Sequence, residues 1–139
     1  MFKNILLAVD GSEHALHAAR LGGDMARTMT ADVYVVVSFD PVPKYLGEPL
    51  LQQTISARIQ ETDQILQSAL VEIGDIPGAL HTEVLEGPPA ETILSVADVR
   101  GVDLIIMGVR GLGRLAGLVL GSQSQKVVAN AACPVLLVR

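Results

Sequence analysis

Runs of apolar residues alternate along the chain with stretches in which apolar positions recur every three or four residues. Four runs have the length and composition of buried strands: residues 5–9, 33–39, 103–107 and 135–138. Residues 80–85 alternate between apolar and polar instead, which predicts a half-exposed strand near a sheet edge.

Between these strands, apolar residues recur at helical spacing. A stripe of small residues over residues 12–29 predicts a first helix that lies close to a sheet, with Ser12 as its N-cap. Gly22-Gly23 lowers helix propensity inside this segment, but the stripe continues through both glycines. A longer amphipathic stripe that includes Ile55 ends at Gly74 and predicts a second helix.

Two shorter helices complete the pattern. Pro89 suits the first turn of a third helix, and Ser122 with Gln125 has capping-box spacing at the start of a fourth. Five strands therefore alternate with four helices, which indicates an α/β fold with a mostly parallel sheet and helices on both faces. We predict a single Rossmann-like domain over residues 1–139, with strand order 3-2-1-4-5.

Composition and charge narrow the range of partners. Ten basic and 15 acidic residues give a net charge of −5, and there are two Tyr, two Phe and no Trp. Such a surface repels nucleic-acid phosphates and lacks stacking platforms. No apolar run approaches the ~20 residues of a membrane span, and residues 5–9 are too short for a signal-peptide core. The single cysteine, Cys133, cannot form an internal disulfide, so we expect a protein of the reducing cytoplasm. From the charge and the short apolar runs, we expect it to bind neither nucleic acid nor membrane.

Two strand ends carry unusual sequence. Asp10-Gly11-Ser12 follows the first strand, and residues 108–122, which contain five glycines, follow the fourth. Ligands of open α/β sheets bind at the carboxyl ends of strands, so both ends face one crevice if strands one and four are neighbours. Glycine permits close backbone approach, and the N–H groups here and at the following helix start can bind an anion. Arg110 and Arg114 add donors, so the pattern predicts a phosphate site.

The glycine spacing resembles the nucleotide motif of the universal stress protein family. Two residues separate Gly108 from Gly111, and nine residues separate Gly111 from Gly121-Ser122. Four further segments agree with that family, namely residues 8–12, 40–43, 87–93 and 133–138. The resemblance covers the whole chain, and it is specific because these segments occur in this order on an alternating α/β pattern.

The resemblance implies an ATP site in this crevice. Asp10 would lie near the ribose and Ala8 by the adenine, the backbone of Ser38 would contact the base, and Met107 and Gly108 would flank the sugar. Residues of the glycine run and the last helix would wrap the phosphates, with either arginine available to neutralise them: Arg110, Gly111, Gly113, Arg114, Gly121, Ser122 and Ser124. Mg²⁺ would be held mainly by the phosphates.

Two positions depart from the family pattern. Gln123 stands where the family most often has a small aliphatic residue, and Ser38 replaces a common valine. We expect a backbone contact to the ligand at Gln123, so nucleotide binding is expected to survive both changes.

The same residues also allow plainer interpretations. The glycines could form a surface loop without a ligand, and Asp10 could only cap the first helix. Residues 111–116 mimic a dinucleotide fingerprint, but the glycine pair does not open a helix. We expect His14 and His17 to be exposed to solvent rather than to bind metal, and Cys133 to be a small buried hydrophobe rather than a nucleophile.

The pattern favours binding over catalysis. A hydrolase or kinase needs a group that orients the attacking water or hydroxyl and a strong magnesium site, whereas the sequence offers one carboxylate, Asp10, and no clear second group for these roles. We expect an ATP-binding regulatory module that another protein reads during stress, and the resemblance implies a homodimer through residues 135–138.

Two alternatives stay open. One is a slow ATPase or autophosphorylating protein with Ser122 or Ser124 as the phosphate acceptor, and the other is an interaction dimer with a degenerate site. The sequence does not distinguish ATP from ADP or AMP.

Overall fold

The strands form one parallel sheet. The computed structural model describes residues 1–109 and 120–139. Its strands are β1 (Asn4–Ala8), β2 (Asp32–Phe39), β3 (Leu80–Glu86), β4 (Leu104–Gly108) and β5 (Val135–Val138). They pair in the order β3-β2-β1-β4-β5, and every neighbouring pair is parallel. The predicted fold class and strand order are confirmed.

Helices cover both faces of this sheet. They are α1 (Glu13–Met29), α2 (Leu50–Ile73), α3 (Pro89–Val99) and α4 (Ser122–Asn130), with a 3-10 turn at Lys44–Leu46. Helices α1 and α2 pack on one face, and α3 and α4 pack on the other. Within the described ranges, no helix has the length and apolar content needed to cross a membrane.

β1 is covered by helices on both sides. Ile5 and Leu7 join the core beneath α1 and α2, whereas Leu6 joins the core beneath α3 and α4. All three side chains are 0% exposed, and burying each contributes roughly 1.5–3 kcal/mol to stability. This two-sided burial explains why the strand appears in the sequence as an unbroken apolar run.

β3 lies at an edge of the sheet. Only Glu83 and Leu85 of its residues are half-buried, and the others are exposed. The predicted half-exposed edge strand is therefore confirmed.

The predicted capping box at the start of α4 is wrong. Gly121 is the N-cap residue, and Ser122 is already the first helical residue. The Gln125 side chain donates from Nε2 to the carbonyl oxygen of Leu120 at 2.8 Å. In a capping box that side chain would instead accept from the N-cap backbone N–H.

Helix α1 lies very close to its neighbours at its glycine pair. A Cβ on Gly22 would lie 2.7 Å from Cδ2 of Leu7, and a Cβ on Gly23 would lie 2.3 Å from the carbonyl oxygen of Ile73. The second contact is with backbone, so no change of rotamer can relieve it. The glycine pair weakens the helix locally, but the packing of α1 on β1 and α2 requires it.

Gly23→Ala is expected to destabilise the protein by about 1–3 kcal/mol, because the added methyl group forces α1 away from the end of α2. In a free helix the same change would stabilise by about 1 kcal/mol. Urea unfolding measures the difference, with Ser56→Ala on the exposed surface of α2 as the control that gains propensity without a clash. A Gly23→Ala variant as stable as the wild type would contradict the close packing.

Candidate functional site

A cleft opens at the carboxyl ends of β1, β2 and β4, where the strand order reverses. Ala8, Val36, Ile93 and Met107 form an apolar wall. The polar residues that line it are Asp10, Ser12, Ser38, Gln123 and Ser124. We call this part of the cleft the inner compartment. It suits a small ligand with one apolar, planar part and a few polar groups.

A more polar, outer compartment continues the cleft toward α2. Asp10, Ser38, Pro89 and Gln123 line both compartments. The outer walls add the polar residues Asp40, Arg58, Glu61, Thr62 and Ser122. Among the described residues, three carboxylates and one guanidinium thus line this compartment, and these side chains together give it a negative charge.

The structure brings most of the predicted site residues together. Those that line the inner compartment are Ala8, Asp10, Ser38, Met107, Gly108, Gln123 and Ser124. Ser122 lines the outer compartment, and Gly121 precedes α4 as its N-cap. The other predicted residues, Arg110, Gly111, Gly113 and Arg114, lie outside the described residues. The pairing of β1 with β4 joins the two strand ends in one crevice.

The sequence pattern did not indicate that α2 would line the cleft. Thr62, which is 8% exposed, donates from its hydroxyl to the carbonyl oxygen of Arg58 at 3.0 Å. Arg58 in turn donates to the carbonyl oxygen of Asp40, which ties the loop after β2 to α2. A threonine in an otherwise apolar stripe was the available signal, but the loop that it would meet depends on long-range packing.

The N-terminus of α1 is satisfied by its own loop. Ser12 is the N-cap, as predicted, and its Oγ accepts from the N–H of Ala15 at 3.2 Å. Oδ1 of Asp10 accepts from the N–H of Ser12 at 3.0 Å. Asp10 therefore orients the capping residue and lines the cleft at the same time.

The N-terminus of α3 is satisfied from another helix. Its N-cap, Pro88, makes no side-chain hydrogen bond, and Pro89 has no N–H to donate. Oε1 of Gln123 accepts from the N–H of Ala90 at 2.9 Å. The expectation at Gln123 concerned only its backbone, and this contact of its side chain, which joins α4 to the neighbouring α3, was missed.

Helix α4 begins without a side-chain cap. Its N-cap, Gly121, has no side chain, and its first turn contains no acidic residue. Within the described ranges, no side chain caps this helix. Its first N–H groups carry partial positive charge, so among the three helix starts at the cleft this one is ready to bind an anion.

The end of β4 lies against the first turn of α1. A Cβ on Gly108 would lie 2.7 Å from the backbone nitrogen of Ala15, so this approach requires glycine. Nδ1 of His14 hydrogen-bonds the carbonyl oxygen of Val109. His14 is half-buried, contrary to expectation, because it holds this strand end, whereas His17 is exposed. No group of three or more His, Cys, Asp or Glu in the described part of the chain is arranged to hold a metal ion.

Cys133 is a weak candidate nucleophile. Burial raises the pKa of its thiol, and the nearby negative charge of Asp103 raises it further. A raised pKa lowers the fraction of thiolate, which is the reactive form. The side chain packs against the core beneath α3 and α4, in agreement with the interpretation of Cys133 as a small hydrophobe.

The fold and the cleft define a doubly wound α/β protein with a candidate ligand site where its strand order reverses. The universal stress protein family matches residues 1–139. The "universal stress protein in QAH/OAS sulfhydrylase 3′ region" of Thermus aquaticus is 48% identical and is aligned over 100% of both chains. The chain belongs to the universal stress protein family.

Solved structures of this family share the fold. Universal stress protein UspA from Lactobacillus plantarum superimposes with a TM-score of 0.82 at 25% identity, over 99% of this chain and 98% of that chain. The universal stress protein from Archaeoglobus fulgidus in complex with dAMP superimposes with a TM-score of 0.71 at 22% identity, over 100% and 98%.

Ser12→Ala is expected to destabilise the protein by about 1 kcal/mol, because the N–H of Ala15 loses its acceptor at the start of α1. Ser12→Asp keeps an acceptor and places a negative charge at the same helix end, so it is expected to preserve stability. Urea unfolding at neutral pH compares the two variants. Equal loss in both would show that the cap contributes little and that Ser12 acts through packing.

Proposed function

We propose that this protein binds ATP in the cleft, with adenine in the inner compartment and the phosphates at the start of α4. The observation that carries the proposal is an apolar-walled compartment continuous with the uncapped N-terminus of α4. The apolar wall suits a nucleobase, and the free N–H groups suit an anion. A nucleotide joins these two parts in one small molecule.

The proposed contacts are those that the family resemblance implies, and most of the described residues among them line the cleft. Adenine would lie near Ala8 and the backbone of Ser38, with the ribose between Asp10 and Met107-Gly108. The phosphates would lie by Ser122 and Ser124. Residues of the glycine run would complete this part of the site: Arg110, Gly111, Gly113 and Gly121.

Two relatives support an adenine nucleotide. The Archaeoglobus fulgidus protein is in complex with dAMP, and another universal stress protein of known structure is in complex with cAMP. Both ligands contain adenine, a sugar and one phosphate. The proposal of ATP extends this likeness, because the outer compartment continues the cleft beyond the start of α4.

The charge of the outer compartment favours a metal–nucleotide complex. Asp10, Asp40 and Glu61 line it together with Arg58, so free ATP would meet more negative than positive charge there. We therefore propose that Mg²⁺ enters with ATP, held mainly by the phosphates, and that Arg110 or Arg114 supplies further positive charge.

We propose a regulatory rather than a catalytic role, in which the nucleotide state is read by a partner protein in the cytoplasm during stress. The enzyme alternative is slow ATP hydrolysis or autophosphorylation. Ser124 is 2% exposed, whereas Ser122 is exposed and lines the outer compartment. If a phosphate acceptor exists, Ser122 is therefore the better candidate of the two.

We also propose a homodimer through β5. The four residues of this edge strand are all half-buried. The carbonyl oxygen of Pro134 accepts from the N–H of Ile105 in β4 at 3.0 Å, and that of Val138 accepts from the N–H of Val109, just after β4, at 2.8 Å. In a parallel ladder the alternate residues, Val135 and Leu137, then point their N–H and C=O groups away from the sheet. An apolar strand with outward donors and acceptors can pair with its copy across a two-fold axis.

Calorimetric titration tests the nucleotide site with ATP, ADP and AMP in the presence of Mg²⁺. The wild type is expected to bind ATP with micromolar affinity. Ser38→Trp is expected to weaken binding at least tenfold, because the indole fills the junction of the two compartments. The matched control is Ser56→Trp on the exposed surface of α2, which is expected to bind as the wild type does.

Absence of ATP binding by nucleotide-free, folded wild type would overturn the proposal and favour an interaction dimer with a degenerate site. Equal binding by both tryptophan variants would place the nucleotide elsewhere. Mass spectrometry of the same samples gives ADP formation and any added phosphate, and an added phosphate that Ser122→Ala abolishes would favour the enzyme alternative.

Leu137→Pro is expected to convert the dimer into a monomer, because proline removes an N–H that points away from β4 and leaves the β4 ladder intact. Leu137→Ala loses even more side-chain bulk than Leu137→Pro but keeps the N–H, and it is expected to remain dimeric. Sedimentation velocity distinguishes the two states. A monomeric wild type, or equal dimerisation of both variants, would rule out pairing through β5.

A further inference from the structure

Gln123 lies at the junction of the inner and outer compartments and lines both. It is the second residue of α4, so its backbone N–H is among those that the helix leaves unpaired. Its side chain reaches the start of α3, where Oε1 accepts from the N–H of Ala90 at 2.9 Å. One residue therefore joins the helix start that suits an anion to the start of the neighbouring helix.

This hydrogen bond determines how the amide is oriented. Only the amide oxygen can accept from the N–H of Ala90, because the reversed amide would bring two donors together. Nε2 therefore points away from Ala90, and it makes no hydrogen bond with any described residue. Gln123 lines both compartments, and its oxygen is engaged by Ala90 while its N–H donors have no partner among the described residues.

We propose that Gln123 is a specificity-determining residue, whose Nε2 donates a hydrogen bond to a phosphate oxygen of the bound nucleotide. The inference rests on the proposed nucleotide site. Ionised phosphate oxygens accept hydrogen bonds and do not donate them, so they match the orientation that Ala90 imposes on the amide. The same turn of α4 then supplies both backbone and side-chain donors to one phosphate.

A purely structural role makes a different prediction. Loss of the Gln123 side chain also leaves the N–H of Ala90 without its acceptor, and this would disturb α3 whether or not a phosphate is present. Gln123→Met removes both the acceptor and the donor at similar length. Gln123→Glu keeps an oxygen for Ala90 but removes the donor, so the pair separates the two roles.

Calorimetric titration with ATP and with adenosine, in the presence of Mg²⁺, tests the proposal. Gln123→Met is expected to weaken ATP binding roughly tenfold, as for a hydrogen bond to a charged group, while adenosine binding changes less than twofold. Gln123→Glu is expected to weaken ATP binding at least as much, to leave adenosine binding unchanged and to keep the wild-type Tm. In ¹⁵N-labelled wild type, the Gln123 side-chain amide resonances, identified by their loss in Gln123→Met, are expected to shift with ATP but not with adenosine.

Several outcomes would overturn the inference. Equal weakening of ATP and adenosine binding by Gln123→Met, with recovery of both in Gln123→Glu, would show that Gln123 only positions α3. Wild-type affinity for ATP in both variants would overturn the inference and leave the nucleotide site standing. A wild type that binds neither ATP nor adenosine would overturn the proposed function, and this inference with it.

Discussion

The cleft depends on the pairing of β1 with β4. Ala8 is opposite Met107 in this pair, so the chain leaves two adjacent strand ends at Asp10 and Val109. From β1 it passes into α1 on one face of the sheet, and from β4 it leads to α4 on the other. The helices that follow these two strand ends thus lie on opposite faces of the sheet, and the cleft lies at this point.

Three helices then begin at the cleft, and their starts are satisfied in different ways. Ser12 caps α1 from its own loop, whereas Gln123 caps α3 from a different helix. Only α4 of these three has no side-chain cap within the described ranges. An uncapped helix start costs stability unless water or a ligand satisfies it. Because α1 and α3 are capped by side chains, the capacity to bind an anion lies at the start of α4.

The sequence predicted the features that depend on nearby residues, namely the strands and the N-cap of α1. The apolar runs gave the strands because burial on both faces demands them, and Ser12 was recognisable because its partner is three residues away. Gln123 and Ala90 are 33 residues apart, and their contact follows from the packing of α3 against α4. The wrong capping box at Ser122 has a related cause, since spacing alone does not show which residue begins the helix.

The charge of the cleft gives uncharged amide donors a role in the proposed binding of an anion. The start of α4 offers only partial charge, equivalent to roughly half a proton, while Asp10, Asp40 and Glu61 line the outer compartment. Among the described residues, the three carboxylates outnumber Arg58 there, so a bare polyphosphate would meet repulsion that one helix start does not offset. Amide donors such as Nε2 of Gln123 add hydrogen bonds without adding charge to the free protein. A cation that arrives with the ligand would then supply the positive charge, so the cleft would favour a metal–nucleotide complex over the nucleotide alone.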